Sequence, residues 1–138
     1  MPAWTCPVCR RRFRRSGQSH ECSPAMSLEE YFATGPAHER PIFEAVMKHL
    51  DSVGPVHVEP VSVGIFLKNV GKFAELRPMR RWVALSFSLG RPVQHRTISR
   101  KVMPYGGRYY HVANLTQPSD FDAALAACLS EAYLAAGE

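Results

Sequence analysis

The apolar residues of this chain follow two different periodicities. Residues 37–53 carry apolar side chains at helical spacing and are followed by Gly54-Pro55, a common stop signal for a helix. After Pro55, apolar and polar residues alternate, as in strands that are buried on one face. The alternating segments are 56–61, 63–68, 73–79, 82–89, 97–103 and 108–115. They predict antiparallel hairpins in a sheet of about five strands.

Helices are predicted on both sides of these strands. Ser27 and Glu30 have the spacing of a capping box and start a short helix. Pro41 fits the main helix only if that helix begins a residue or two earlier. Segment 118–122 caps a C-terminal helix, whose inward face is predicted to carry Phe121, Leu125, Cys128, Leu129 and Ala132.

The predicted fold class is α+β. Helices at both ends with hairpins between them favour a two-layer sandwich, in which the helices pack on one face of the antiparallel sheet. We assign residues 27–138 to this domain and residues 1–26 to a zinc-binding knuckle. The boundary lies in a short joint at residues 23–26.

Positive charge is concentrated in two stretches of the 138-residue chain, whose formal net charge is +5. Residues 1–27 contain five arginines and one acidic residue, and residues 68–108 contain ten basic residues and one acidic residue. Two basic segments with an acidic one between them favour an anionic partner, with DNA or RNA as the first candidate. The alternative is that these charges form a solvated face without a ligand.

The candidate nucleic-acid contacts are basic side chains of these two segments, for binding phosphates, and tyrosines for stacking on unpaired bases. They are Arg10, Arg11, Arg12, Arg14, Arg15, Arg80, Arg81, Arg96, Arg100, Lys101, Arg108, Tyr109 and Tyr110. On this interpretation, the sheet face without helices, or one sheet edge, is the binding surface.

The first 27 residues also contain a candidate metal site. Cys6, Cys9, His20 and Cys22 form the Cys3His set that a structural Zn2+ ion takes in a closed tetrahedron. A segment this short buries too little apolar surface to fold alone, and metal binding supplies the missing free energy. We therefore predict one structural zinc ion. A reduced or redox-active thiol cluster is the alternative.

The first half of this motif resembles a two-Cys two-His zinc finger, and Trp4 and Phe13 are expected to form an apolar cap over the metal. The second half differs, because His20 and Cys22 are separated by one residue and cannot converge on a metal from one helix. A helix that reads DNA bases is therefore not expected between the ligands. A knuckle that contacts phosphates, RNA or a protein is the more consistent interpretation.

The rest of the chain resembles a known family. The resemblance rests on segments 28–32, 56–60, 105–108, 118–122 and 131–133. Over about residues 28–136 the chain is similar to an uncharacterised bacterial family of domains of unknown function, the one numbered 5655. Such domains are often preceded by a Cys-x-x-Cys and Ser-His-x-Cys module. The resemblance implies a bacterial, cytoplasmic α+β domain and implies no activity.

Together these features favour a zinc-binding accessory protein that associates with nucleic acid and has no catalysis of its own. No hydrolase triad, phosphate loop or paired carboxylates can be assembled from the sequence. One alternative is a ligand-binding or enzymatic domain with a pocket near the 105–111 turn, formed by His57, Tyr105 and His111. Another is an interaction module that docks to another bacterial protein through the knuckle.

The sequence also predicts a cytoplasmic protein that does not enter a membrane. No apolar run approaches the roughly 18 residues that a membrane span needs. The first residues lack the basic start and the apolar stretch of a signal peptide.

Overall fold

A large sheet, three helices and a small hairpin make up the fold, and the computed structural model describes residues 3–20, 22 and 26–137. The knuckle contains strands β1 (Trp4–Thr5) and β2 (Arg12–Phe13). The helices are α1 (Leu28–Ala33), α2 (Glu39–Leu50) and α3 (Ala123–Ala136), with a 3₁₀ turn at Pro118–Asp120 before α3. The other strands are β3 (His57–Val61), β4 (Gly64–Lys68), β5 (Lys72–Pro78), β6 (Val83–Leu89), β7 (Met103–Tyr105) and β8 (Arg108–Leu115).

Strands β3 to β8 form one antiparallel sheet of six strands in the order β3-β4-β5-β6-β8-β7, which confirms the predicted α+β class. Strand β7 lies at the edge and is joined to β8 by Gly106 and Gly107, which have φ values of 57° and 80°. A two-residue hairpin loop of this kind needs positive φ at both positions, and glycine adopts it without a steric penalty.

Strand pairing gives the sheet one buried face and one open face. Ile65, Leu76, Leu85 and Ala113 are paired across four neighbouring strands, and each is 0% exposed. They belong to the same buried cluster as residues of α2 and α3, so the helices cover this face, as predicted. Successive residues of a strand point to opposite sides, and the alternate residues therefore lie on the other face, which we call the open face.

The starts of α1 and α3 lie at the predicted capping residues. The Ser27 hydroxyl accepts from the Glu30 N–H at 3.1 Å, and the Glu30 carboxylate accepts from the Ser27 N–H at 3.4 Å. Helix α2 begins at Glu39, so Pro41 lies in the first turn, where its missing N–H removes no helical bond. On α3, the buried residues are Leu125, Leu129, Ala132, Tyr133 and Ala136, and the partly buried Phe121 and Cys128 pack against the same core.

The strand predicted at residues 97–103 is wrong apart from its last residue, because residues 90–102 contain no strand. Polar side chains hold this segment instead. His95 Nε2 lies 2.9 Å from the Asp122 carboxylate at the start of α3. This contact anchors the segment to a helix, where the alternating sequence had indicated pairing in the sheet.

Within the described ranges, no helix combines the length and the apolar character that are needed to cross a membrane.

Candidate metal centre and basic cleft

Four side chains of the knuckle converge on one point. The ligand atoms of Cys6, Cys9, His20 and Cys22 all lie within 4.8 Å of one another. Cys22 Sγ lies 3.9 Å from Cys6 Sγ and 3.2 Å from His20 Nε2. Cys9 Sγ lies 3.4 Å from the same nitrogen. Because metal–sulfur bonds of about 2.3 Å place tetrahedral ligands about 3.5–3.8 Å apart, this group can hold a metal ion.

The turn after β1 presents the first two ligands. The Cys6 N–H donates to the Arg11 carbonyl at 2.9 Å, and the Arg10 N–H donates to the Cys6 carbonyl at 2.8 Å. Arg10 has a φ of 63°, in the left-handed region, as this tight reversal requires. The turn buries both sulfur-bearing residues, and Cys6 and Cys9 are each 3% exposed.

Hydrogen bonding orients the imidazole ligand. His20 Nδ1 lies 2.6 Å from the carbonyl oxygen of Gln18, which can only accept, so the proton lies on Nδ1. Nε2 is then left with a lone pair for a metal ion. The Phe13 ring stacks on the imidazole with centroids 4.0 Å apart, and the Trp4 ring meets it edge-on at 6.1 Å. The two aromatic residues therefore surround the ligand as an apolar cap.

The Cys6 sulfur is prepared to bind as a thiolate. The pKa of the Cys6 thiol is lowered to about 6, mainly by a hydrogen bond from the Cys9 backbone N–H. The thiolate therefore predominates at neutral pH. Thiolates and a neutral imidazole are soft or borderline ligands, which transition-metal ions prefer and hard cations such as Mg2+ do not.

A buried carboxylate joins the knuckle to the open face. Glu59 in β3 is 1% exposed. Its Oε1 atom lies 3.1 Å from Arg11 Nε and 2.9 Å from Lys68 Nζ. Its Oε2 atom accepts from the Arg12 backbone N–H at 2.7 Å and lies 2.9 Å from His57 Nε2. Two of these groups come from the knuckle and two from the sheet, so Glu59 fixes one part against the other.

Glu59 is ionised in this environment. Burial by itself raises the pKa of its carboxyl, but the Arg12 N–H and the Lys68 ammonium outweigh burial and hold the pKa below its usual value. The Lys68 ammonium also donates to the Arg12 carbonyl, and it lies 4.0 Å from the centroid of the Phe13 ring. The Lys68 ammonium thus joins the sheet to both the backbone and an aromatic ring of the knuckle.

A cleft of about 680 Å³, here called the basic cleft, lies between the knuckle, the open face and the last turn of α3. Among the described residues that line it, six are basic and none is acidic. The basic residues are Arg11, Arg14, Arg15, Lys68, Lys72 and Arg108. Phe66 also faces the cleft, with the Arg11 guanidinium 5.1 Å and the Lys72 ammonium 5.0 Å from its ring centroid. An anion that carries a planar group would suit this lining.

Protein contacts hold several of these cations in place. Arg108 donates through Nε to the Ser88 hydroxyl at 3.0 Å and through Nη2 to the Ser88 carbonyl at 2.9 Å. Arg14 donates to the Ala136 carbonyl at 2.6 Å, at the C-terminal end of α3, where the helix dipole favours a cation. Arg14 and Arg108 are therefore held in the walls of the basic cleft by contacts within the protein.

Comparison with protein families matches residues 28–136 to a domain of unknown function, DUF5655, as the sequence motifs indicated. The chain belongs to this family. No curated protein and no solved structure matches the chain. The four potential metal ligands precede the DUF5655 domain, whereas Phe66, Lys68, Lys72 and Arg108 lie within it. The basic cleft is thus formed by the DUF5655 domain and the knuckle together.

The structure brings only some of the predicted nucleic-acid contacts together. Arg11, Arg14, Arg15 and Arg108 line the basic cleft. Arg80 and Arg81 lie in the turn after β5, beyond the end of a strand that extends about 20 Å from Lys72. The other predicted contacts lie outside the lining of the cleft, and they are Arg10, Arg12, Arg96, Arg100, Lys101, Tyr109 and Tyr110.

Phe66, Lys68 and Lys72 of the DUF5655 domain line the cleft but were missing from the predicted contacts. Phe66 and Lys68 alternate in β4, a pattern that is visible in the sequence and places them on one face. Lys72 follows a register irregularity at Leu67 and Lys68, which shifts the pairing of β4 with β5. Sequence periodicity does not reveal such a shift, so the position of Lys72 emerges only from the structure.

The three residues proposed for a ligand pocket are separated. His57 lies beside Glu59 on the open face. His111 is 0% exposed on the helix-covered face, where its ring stacks on Phe87 with centroids 5.0 Å apart. Tyr105 is 84% exposed at the β7–β8 hairpin. The structure therefore does not place these side chains around one pocket.

Proposed function

We propose that the knuckle holds one structural zinc ion. Cys6, Cys9, His20 and Cys22 provide a closed set of four ligands, which is typical of structural rather than catalytic zinc sites. When bound, zinc would supply the free energy that orders so short a segment. We also propose a cytoplasmic location, since a reducing compartment keeps the thiols available as ligands.

We propose further that this zinc-stabilised protein associates with nucleic acid and has no catalysis of its own. The observation that carries the proposal is the basic cleft, in which cations of the knuckle and of the DUF5655 domain face one volume. The six basic side chains of the cleft are accompanied by two nearby carboxylates, Glu59 and Glu75. These eight side chains together have a formal net charge of +4. Phosphates that bind such a surface release condensed counterions, which favours association.

Two measurements on the full chain test the proposal. Elemental analysis is expected to find one zinc ion per chain. Fluorescence polarisation with labelled DNA and RNA is expected to show affinity that falls steeply as salt rises from about 50 to 200 mM. Protein without zinc would contradict the metal assignment. Zinc-loaded protein that binds neither nucleic acid at low salt would contradict the second part and favour a protein partner for the knuckle.

A further inference from the structure

The basic cleft has the size of a small-ligand site. Its volume of about 680 Å³ falls within the roughly 300–1,000 Å³ that such sites span. Residues of the knuckle, the open face and the end of α3 all contribute to its lining. A flexible single strand can rotate one nucleotide so that it enters a bounded cleft. A duplex cannot do so, because its bases stay stacked and paired.

Phe66 offers a surface to an unpaired base. It is half-buried, whereas the other aromatic residues of the lining, Phe13 and Phe73, are 7% and 4% exposed. The neighbouring Arg11 is buried and held by Glu59, but the Lys72 side chain is 45% exposed. Lys72 can therefore leave the ring for a phosphate when a base takes its place. Stacking of this kind accepts any base, because every base has a π-face.

The cations of the cleft suit a phosphate group. The two bonds to Ser88 fix the Arg108 guanidinium, so little side-chain entropy is lost when it binds. Arg15 is exposed on the knuckle side of the cleft, and its backbone is held by a bond from its N–H to the Gln18 side chain at 3.2 Å. Guanidinium groups match the geometry of phosphate oxygens and bind them through two N–H donors.

We propose that the basic cleft binds a phosphorylated nucleoside, with its base on Phe66 and its phosphate on Arg15, Lys72 and Arg108. This inference rests on the proposed association with nucleic acid and narrows it to an unpaired nucleotide unit. The unit is either part of a single strand or a free nucleotide, and the chemistry of the cleft is the same for both.

The first test compares charge loss inside the cleft with equal charge loss outside it. Arg15→Gln with Arg108→Gln removes two cleft guanidiniums, and Arg80→Gln with Arg81→Gln removes two exposed ones from the turn after β5. The probe is a 5′-phosphorylated strand of about eight nucleotides with a 3′ fluorophore, measured alone and as a duplex. The single strand should bind about tenfold more tightly than the duplex.

The double variant Arg15→Gln with Arg108→Gln is expected to lower the affinity for the single strand about tenfold or more. The slope of log affinity against log salt concentration should fall in magnitude by about 1.4, because two phosphate contacts are lost. The control variant, Arg80→Gln with Arg81→Gln, should have a slope within about 0.3 of that of the unsubstituted protein. Equal losses for both pairs, or equal affinity for strand and duplex, would overturn the inference and leave general nucleic-acid association standing.

The second test separates stacking from charge. Phe66→Leu is expected to lower single-strand affinity about tenfold without changing the salt slope, because it removes a ring and no cation. Phe32→Leu is the matched control, since Phe32 is also half-buried beside a guanidinium, that of Arg40, but lies on α1 outside the cleft. Variants are compared only at equal zinc content and equal unfolding temperature. An unchanged affinity for Phe66→Leu contradicts the proposed base position.

Competition on the unsubstituted protein identifies the source of the ligand. AMP should displace the strand at lower concentration than inorganic phosphate does. Equal displacement by both would overturn the inference, because it shows an anion site without base contact. Binding of AMP without binding of any oligonucleotide would support the cleft as a site for a free nucleotide, and it would contradict the proposed association with nucleic acid.

Discussion

Arg10 occupies a backbone conformation that favours glycine. Its φ of 63° follows from the tight turn in which the Arg10 N–H bonds the Cys6 carbonyl at 2.8 Å. A residue with a Cβ atom loses about 1–2 kcal/mol in this region. The knuckle therefore holds strain one residue beyond Cys9, and a substitution can release it.

Arg10→Gly is expected to stabilise the metal-loaded knuckle by about 0.5–1 kcal/mol, because the released strain exceeds the extra entropy of glycine in the unfolded chain. The measurement is the zinc fraction lost to a chelator at increasing concentration. Gly17→Ala provides the reverse comparison, since Gly17 has a φ of 69° and an added Cβ meets nothing within 4 Å. Loss of stability in Arg10→Gly would contradict this prediction. It would show that contacts of the arginine side chain stabilise the knuckle by more than the backbone strain destabilises it.

Asp120 is a buried carboxylate that is held in its charged form by hydrogen bonds. It is 5% exposed and accepts from the Thr116 hydroxyl and the Thr116 N–H, both at 2.8 Å. These hydrogen bonds lower the pKa of Asp120 to about 2, and the bond from the Thr116 hydroxyl has the largest effect, followed by that from the Thr116 N–H. Arg96 also donates to this carboxylate, at 3.1 Å. The charged form is thus favoured in the folded protein.

Because the folded pKa lies below the unfolded value of about 3.9, Asp120 contributes stability above about pH 4 and loses it as the pH falls towards 2. Asp120→Asn should lower the free energy of unfolding by about 1.5–3 kcal/mol at pH 7, and the difference should shrink below pH 4. Urea unfolding at several pH values measures this. Asp51→Asn, at an exposed position, is the control, and a pH-independent loss in Asp120→Asn would contradict the argument.

Helix α3 begins at a carboxylate that also anchors the preceding irregular segment. Asp122 Oδ1 accepts from the Leu125 N–H at 3.0 Å, as an N-cap does, and the same carboxylate lies 2.9 Å from His95 Nε2. One side chain therefore starts the helix and positions residues 90–102, which lack strand pairing. The start of α1 is simpler, because Ser27 and Glu30 cap each other without a distant partner.

Asp122→Ala is expected to cost about 1–2 kcal/mol from the lost cap, with a further loss because His95 loses its acceptor. Asp122→Asn keeps a capping oxygen and should retain most of the stability. Ser27→Ala should cost about 1 kcal/mol, as expected for a cap alone. Thermal and urea unfolding measure all three. Equal losses in Asp122→Ala and Asp122→Asn would show that the charge, and not the cap, matters at this position.

The knuckle and the DUF5655 domain have separate apolar cores joined by a charged contact. Cys6, Cys9, Phe13 and Trp4 form one small cluster, and the sheet and helices form another. The larger core is stabilised by apolar burial, whereas the small one is expected to depend on the metal proposed for its four ligands. Glu59 connects them from the open face.

Removal of the metal by a chelator is expected to unfold the knuckle and to leave the DUF5655 domain folded, because none of the four candidate ligands belongs to the larger core. Hydrogen exchange should show loss of protection in β1 and β2 and retained protection in β5 and β6. Loss of protection throughout the sheet would mean that the two parts fold as one unit.

Glu59→Gln removes the carboxylate charge that faces Arg11 and Lys68 at a buried contact. We expect a loss of about 3 kcal/mol and faster exchange in the knuckle, since removing one member of a buried ion pair leaves desolvated charge behind. Glu75→Gln is the comparison, because Glu75 faces the more exposed Lys72 and Arg77, and it should cost under about 1 kcal/mol. Similar losses in the two variants would exclude a special role for Glu59.

The features that the sequence predicted well depend on residues that are close along the chain. The metal-ligand set, the Ser27 capping box and most strand positions follow from spacing within about twenty residues, where backbone geometry limits the outcome. The predicted strand at residues 97–103 failed in a segment where His95, just before it, contacts Asp122, a distant partner. Periodicity alone carries no information about such a contact.

The sequence by itself determined which side chains can bind a metal, where α1 starts and that basic residues form two stretches. Only the tertiary structure decided which cations share a site. Arg15 and Arg108 line the same cleft, whereas Arg80 and Arg81 lie at the far end of β5. The physical reason is that strand register and the contact of Glu59 with the knuckle bring distant segments together, and both depend on packing across the sheet.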